Sequence, residues 1–513
     1  MAERPVIVIG AGHNGLIAAC YLARAGRPVL VLEALDRPGG GSRTEERVPG
    51  FFFDLHSVAH NIINMTRIPE ELDLTDAGLV YSEMNPFSIA VHEDGRRVRF
   101  FRSVEETVAS IAEVDRGEAD AYRRFMDVAT PLIQATMPSI RGESSARETP
   151  RRIARLLQVA RTGPLARTRD LLGPYDSLLR RWLPSDLTRG PVAAFAAHAG
   201  VGPGVGGSAL FAFWQAAYHL HGQWHAQGGS QGLTDALVVR AASLGVEIRC
   251  DARIDRVDTA GGHVRAVTTG DGERITADTV ISAIDPKHLL LDLVDPPLAG
   301  AARRDIAAVR RANVVQALVH VATDRLPPYP DAQRGDWNGL QSYVDRLEDL
   351  SRAWETAEAG ELPDPLPLYS FTTSAIDPYL APPGQHAVYL ACPSAPATVS
   401  GGWATRREEF VDRALDTLES RAPGFRDSII AVRPYTPEEM MAGGWVGAHP
   451  MHVDIGLDQL GPFRPTRRLS SHRTSIAGLY LSGAGTSPTG GIAGTPGKLA
   501  AKAVLDDTTR HRR

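Results

Sequence analysis

The chain has 513 residues, of which 43% are hydrophobic and 22% charged, the balance of an ordinary soluble enzyme with room for several domains and large buried cores. Its 55 basic and 60 acidic side chains leave a formal charge of -5, which excludes the basic footprint of a nucleic-acid binder. The three cysteines, Cys20, Cys250 and Cys392, form no C-x-x-C pair, so neither a disulfide framework nor a dithiol redox centre is expected, and a cytoplasmic location suits the chain.

The first strand pattern, Val6–Ile9, begins too early for a signal peptide to be expected. Gly10-Ala11-Gly12-His13-Asn14-Gly15 follows it, then a helix pattern from Leu16 and a second strand pattern, Val29–Leu32, ending in Glu33. This is a G-x-G-x-x-G fingerprint between a buried strand and a helix. Gly10 permits the tight turn, Gly12 lets backbone approach a pyrophosphate, and Gly15 lets helix pack on strand. The phosphates would rest on the helix N-terminus, whose free N–H groups favour an anion. Glu33 stands where a carboxylate holds ribose hydroxyls, and it would repel a ribose 2′-phosphate. A second glycine-rich run, Arg37-Pro-Gly-Gly40-Gly41-Ser42-Arg43-Thr44, comes directly afterwards. An NAD domain has no need of it. It reads either as a plain surface turn or as the segment that two-dinucleotide-domain flavoproteins run back along the diphosphate toward the flavin.

Phe51-Phe-Phe-Asp54-Leu-His56-Ser57 comes next, and residues 76 to 190 read as strands and then helices. Residues 151 to 189 are arginine-rich, with Ile153, Leu156, Leu157 and Ala160 at helical spacing. That pattern fits an ordinary solvated helix face or a peripheral contact with an anionic membrane. No run of about eighteen apolar residues is present to span one. From Gly190 to Thr234 there is no Asp, Glu, Lys or Arg. Such a stretch must be buried or line an apolar cavity, and Phe213 and Ala216 sit near its centre. Its glycine run, Gly200 to Gly207, follows no strand and contains Pro203, which argues against a second nucleotide loop and a stably bound NAD(P).

Trp224-His225 precedes Gly228-Gly229, a helix pattern, and strands at 246–250 and 252–257. Gly261-Gly262 marks a hairpin turn, and 277–283 reads as a strand returning to the first sheet. At the far end a strand from Gly478 delivers Gly483-Ala-Gly485-Thr486-Ser-Pro-Thr-Gly490-Gly491-Ile492 to a helix from about Lys498.

With the G-A-G-H-N-G start, Thr44-Glu-Glu, Gly228-Gly-Ser-Gln, Leu457-Asp-Gln-Leu460 before Phe463-Arg-Pro465, and the terminal Gly-Ala-Gly-Thr, the chain resembles the phytoene desaturase-like FAD-dependent oxidoreductases. Within them it is similar to the branch named after a pyridine nucleotide-disulfide oxidoreductase domain protein 2. The resemblance implies an α/β fold of the two-dinucleotide-binding-domain flavoprotein type, with a Rossmann-like FAD domain (1–75, 225–290, 425–513). An interleaved α+β substrate domain (76–224, 291–424) completes it. FAD would be held by Gly10, Gly12 and Gly15 at the diphosphate, Glu33 at the ribose and Ile254 at the adenine. Gly40, Gly41, Ser42 and Arg43 would run along the cofactor, and Gly485, Thr486, Gly491 and Ile492 would flank the flavin. Two departures stand out. Gly41 replaces the arginine of G-G-R, which leaves diphosphate charge to Arg43, and Ser487 replaces a frequent histidine.

The flavin carries the redox chemistry while the protein positions and shields it. The expected reaction is dehydrogenation of an apolar substrate, with O2 or a quinone rather than NAD(P) as acceptor. A flavin amine oxidase, and a non-redox isomerase or FAD-bearing interaction protein, remain as alternatives. No catalytic acid or base stands out. His56, Trp224 and His225 are the substrate-facing candidates; Trp224 and His225 read equally as packed residues, and His56 and His60 read more readily as ordinary packed histidines. His449 and His452 have a metal-compatible spacing but no third ligand, and Lys287 and Lys498 read as surface or helix-start residues.

Overall fold

The computed structural model describes residues 4–143, 172–456 and 458–511. Val6–Ile9 and Val29–Leu32 are buried along their whole length, which is why they read as continuous Val/Ile/Leu runs rather than alternating ones. They lie in a five-stranded parallel sheet ordered Leu479–Leu481, Val280–Ser282, Val6–Ile9, Val29–Leu32, Glu247–Arg249. Helix His13–Arg24 packs on it beside helices Gln231–Ser243 and Thr495–His511. Gly10 adopts φ +93°, open mainly to glycine. A Cβ on Gly15 would lie 2.0 Å from the Gly10 carbonyl oxygen, so only glycine lets this helix start so close to its strand. The strands' carboxyl ends, where such sheets bind ligands, therefore open onto three glycine-bearing turns.

Ile254–Ala260 and His263–Thr269 form an antiparallel hairpin in a four-stranded sheet. Gly261 and Gly262 take φ +60° and +77° at its turn, as a two-residue turn with positive φ at both positions requires. The second lobe is a seven-stranded sheet ordered Ile429–Tyr435, Val314–Thr323, His386–Pro396, Tyr369–Thr372, Leu340–Ser342, Ser88–Val91, Arg97–Phe100. Helices that include Arg116–Ile140, Asp186–Ala197 and Gln215–His221 cover it.

Pairing shifts the expected domain cuts. Ile429–Tyr435 belongs to the seven-stranded sheet through Val314–Thr323, so a cut at 425 falls too early. Val294–Asp295 pairs with Ile254–Ala260, so a cut at 290 also falls too early. Strand partners as far apart in the chain as Leu318 and Tyr435 leave no local mark on sequence.

The uncharged stretch is largely buried, with Phe213, Ala216 and Ala217 fully enclosed. Its glycine run forms turns rather than a nucleotide loop; a Cβ on Gly202 would lie 2.6 Å from Trp354 Nε1. Of the arginine-rich 151–189 segment, residues 151–171 lie outside the described residues, as does Leu457; Tyr175–Trp182 is helical. Among the described residues no helix is long and apolar enough to cross a membrane.

Candidate active site

A cavity of ≈ 660 Å³ lies between the two lobes. The parallel-sheet lobe lines it with Gly10, Gly12, Gly15 and Glu33, and the four-stranded sheet adds Arg253, Ile254 and Asp255. Helices and strands of the other lobe contribute Phe195, His198, Phe211, Trp214, Tyr218 and Tyr369.

Glu33 is 8% exposed. Its carboxylate accepts N–H bonds from Ala11 at 2.6 Å and Leu35 at 3.0 Å, which fixes the acid at the cavity edge. The second glycine run folds back onto the first turn: Gly39 N donates to Ala11 O at 3.2 Å, and a Cβ on Gly40 would lie 3.0 Å from Gly12 Cα. Gly40 and Gly41 line the cavity, so the surface-turn reading does not hold. Ser42 and Arg43 do not line it. Thr234 Oγ1 donates to the Ser42 carbonyl at 3.3 Å. The Arg43 guanidinium is taken up by Glu45 at 2.7 Å and Asp36 at 2.9 Å, and is therefore not offered to an anion in the cavity. Asn14, at the helix start, lines the cavity with a buried Oδ1 that has no hydrogen-bond partner among the described residues.

The C-terminal turn lines the cavity through Gly483, Ala484, Thr489, Gly490, Gly491 and Ile492. Gly485 and Thr486, expected there, lie behind it. A Cβ on Gly485 would sit 2.7 Å from Pro286 Cδ, and the buried Thr486 hydroxyl donates to Gly483 O at 2.9 Å. They shape the turn that Gly491 and Ile492 present.

His56 lines the cavity, its ring centroid 4.1 Å from that of Trp445. Burial pushes its pKa down to about 3, so it is neutral, and its Nε2 has no partner among the described residues. A Cβ on Gly41 would meet Trp445 Cη2 at 3.5 Å, so the indole fills space that a long side chain at position 41 would need. Trp224 and His225 are displaced from the expected role. Trp224 Nε1 donates to His221 O at 2.8 Å, and the Arg102 guanidinium lies 5.8 Å from its ring. His225 is fully buried, with Nδ1 2.8 Å from Val58 O and Nε2 3.4 Å from Asp377. Burial opposes its charge, but Asp377 and Asp54 outweigh it and raise its pKa. Their strand pairs with Tyr81–Glu83, which puts it behind the cavity-lining Val58.

His60 is a packed residue held by Tyr81 and Ser230 at 2.8 and 3.1 Å. His449 lies 3.3 Å from Asp454, and no metal-binding cluster occurs among the described residues. Lys498 pairs with Glu71 at 2.7 Å, and Lys287 donates to the carbonyls of Ala307 and Val309.

One important residue had no role assigned from sequence. Arg464 is 0% exposed and donates to the carbonyls of Met451, Val453, Asp454, Gln459 and Ala484 at 2.7–3.4 Å. It ties residues 451–456 and Gln459 to the C-terminal glycine turn, and Met451, His452 and Ile455 line the cavity together with that turn. Burial lowers its pKa to about 9, which still leaves it charged at neutral pH. Its motif, Phe463-Arg-Pro465, was the available signal.

A strand–turn–helix with a ribose-type acid, a second glycine run closing on the first, and a third glycine turn facing both suit an extended dinucleotide lying along the cavity. Residues 15–505 match the family of flavin containing amine oxidoreductases, and the chain belongs to that family. It is 30% identical over 547 residues to pyridine nucleotide-disulfide oxidoreductase domain-containing protein 2 of Rattus norvegicus, covering 98% of this chain and 94% of the relative. It is 26% identical over 528 residues to a lycopene-forming phytoene desaturase of Paracoccus sp., covering 99% and 98%. The structure of a putrescine oxidase bound to putrescine shares the fold at TM-score 0.65 and 17% identity, covering 99% of each chain. The protein is an FAD-dependent oxidoreductase, and the phytoene desaturase-like resemblance holds.

Proposed function

We propose that the chain is a dehydrogenase or desaturase that introduces a C=C or C=N bond into a neutral, largely apolar organic molecule. The observation that carries this reading is the charge distribution of the cavity. Its charged lining residues, Glu33, Arg253, Asp255 and Asp285, all come from the parallel-sheet lobe and its hairpin extension. The opposite wall, built from Phe195, Phe211, Trp214, Tyr218 and Leu340, carries none. An unpaired ion facing that wall would lose its hydration without compensation, at a cost of several kcal/mol. Aliphatic surface loses nothing there.

Gly10, Gly12, Gly15, Gly40 and Asn14 would hold the FAD diphosphate. Glu33 would take the ribose hydroxyls and Ile254 the adenine. Gly41, Gly491 and Ile492 would border the flavin. Bound FAD supplies the acceptor for a hydride from a substrate C–H bond, and O2 or a quinone returns it to the oxidised state. His56 and Trp445 form a neutral wall that excludes water and orients the substrate. The amine oxidase alternative draws support from the family and from the putrescine oxidase fold, but the wall of Phe195, Phe211, Trp214, Tyr218 and Leu340 offers an ammonium group no carboxylate. The test is anaerobic addition of neutral apolar compounds to the FAD-loaded protein. Flavin bleaching with a product lacking two hydrogens supports dehydrogenation. Bleaching by primary amines alone favours the amine oxidase, and isomerised product without bleaching overturns both.

A further inference from the structure

The apolar chamber is not polar-free: one contiguous hydrogen-bonding patch interrupts its sheet-side wall. Gln316 on Val314–Thr323 donates through Nε2 to the hydroxyl of Tyr369 on Tyr369–Thr372. That hydroxyl also interacts with Tyr389, whose own O–H donates to the His56 carbonyl at 3.1 Å. His198, at the end of helix Asp186–Ala197, packs its ring against Tyr369 with centroids 3.9 Å apart and planes tilted by 46°. Gln316, Tyr369 and His198 all line the cavity. Burial brings the His198 pKa down to about 4, so the patch has no formal charge at neutral pH. The Tyr369 bond uses one amide N–H of Gln316. Its Oε1 and second N–H have no partner among the described residues.

Buried amide and imidazole groups cost free energy unless a partner is supplied. A pure hydrocarbon filling this chamber would strip water from Gln316 and His198 and return nothing. A carboxylate or an ammonium seated at this patch would meet no countercharge from Gln316, Tyr369 or His198. A neutral oxygen satisfies both constraints, because the free amide edge presents an acceptor and a donor and so serves a hydroxyl or a carbonyl equally.

We infer that Gln316, Tyr369 and His198 form a specificity subsite for one neutral oxygen function, hydroxyl or carbonyl, on an otherwise apolar substrate. The inference rests on the dehydrogenase reading above and narrows its substrate class to oxygenated apolar molecules.

The experiment titrates FAD-loaded protein with 1-octanol, 2-octanone, 1-chlorooctane, octanoate and octylammonium, and follows the flavin absorbance. Wild type is compared with Gln316→Leu and the nearly isosteric Tyr369→Phe, each checked for FAD content and melting temperature. The oxygenated probes should bind saturably; Gln316→Leu should weaken them about fivefold to tenfold, the worth of one neutral hydrogen bond, and Tyr369→Phe, which releases the amide from its anchor, should weaken them by less. Binding of 1-chlorooctane should be unchanged or tighter, and the two ions should bind more weakly than the alcohol. Equal weakening of 1-chlorooctane, no effect of either substitution, tighter binding of an ion, or no binding of the oxygenated probes to loaded protein would each overturn the subsite and leave FAD binding standing. Failure to take up FAD would instead remove the dehydrogenase reading itself.

Discussion

The guanidinium Nη2 of Arg464 donates to the carbonyl of Ala484 at 2.7 Å, and Nε reaches the same oxygen at 3.1 Å. A buried cation 20 residues upstream thus fixes the turn that faces the cavity. Arg464→Met would strip several buried carbonyls of their donor, each costing about 1–3 kcal/mol when left unsatisfied. The expected result is a loss of several kcal/mol in urea unfolding together with loss of FAD, and Arg464→Lys should recover part of each. Unchanged stability and flavin content in Arg464→Met would refute the role.

Gly15 and Gly12 should respond differently. A Cβ on Gly15 collides with the Gly10 carbonyl, whereas one on Gly12 meets nothing closer than 3.7 Å. Gly15→Ala is therefore expected to lower the melting temperature of the apoprotein. Gly12→Val should leave the apoprotein folded and deplete FAD, because its side chain would occupy the diphosphate path. Glu33→Ala should weaken FAD through lost charged hydrogen bonds of about 1.5–3 kcal/mol each. A folded Gly12→Val protein with full flavin occupancy would put the phosphate site elsewhere.

Neighbouring aromatic positions separate core from chamber. Phe213 is fully buried and stacks on Phe125 at 5.6 Å, so Phe213→Asp should prevent folding of the substrate lobe. Phe211 lines the cavity, and Phe211→Asp should keep both fold and FAD while abolishing turnover of an apolar substrate. Normal turnover by Phe211→Asp would remove that residue from the substrate wall.

Acid sensitivity should begin early. Burial lowers the pKa values of His13, His198, His219, His452 and His472 to about 4, and those of His56, His60 and His320 to about 3. Below the unfolded value of about 6.5 the unfolded chain binds protons that the folded chain refuses. Stability should therefore fall as pH drops from about 6.5 toward 4, by up to about 1.4 kcal/mol per pH unit for each such histidine. His225 acts in the opposite sense: its raised pKa adds stability below its unfolded value that is lost as pH rises through the folded one. Urea midpoints from pH 8 to 5 that stay flat would contradict the neutral-histidine assignments.

NADH should not bleach the flavin at a useful rate, since the Gly200–Gly207 run forms turns, with Gly202 against Trp354, rather than a second dinucleotide loop. Rapid anaerobic bleaching that saturates at micromolar NADH would contradict this and the proposed O2 or quinone acceptor.

The dinucleotide end of the cavity was legible because its chemistry is local: Gly10, Gly12, Gly15 and Glu33 lie within one strand–helix–strand unit. The burial of 190–234 was legible from missing charge. Arg43 misled because two carboxylates near it in sequence, Asp36 and Glu45, compete for its guanidinium with any anion in the cavity. Trp224 and His225 misled because pairing with Tyr81–Glu83 turns their strand away from the chamber. The contacts of Trp445, Gln316 and Tyr369 join segments distant in sequence, and no spacing rule reports them.

FAD binding underlies the functional expectations above, and its most direct test is to denature the purified protein and chromatograph the released cofactor. The predicted result is FAD, one per chain. Recovery of FMN, or of no flavin even after reconstitution with FAD, would contradict it.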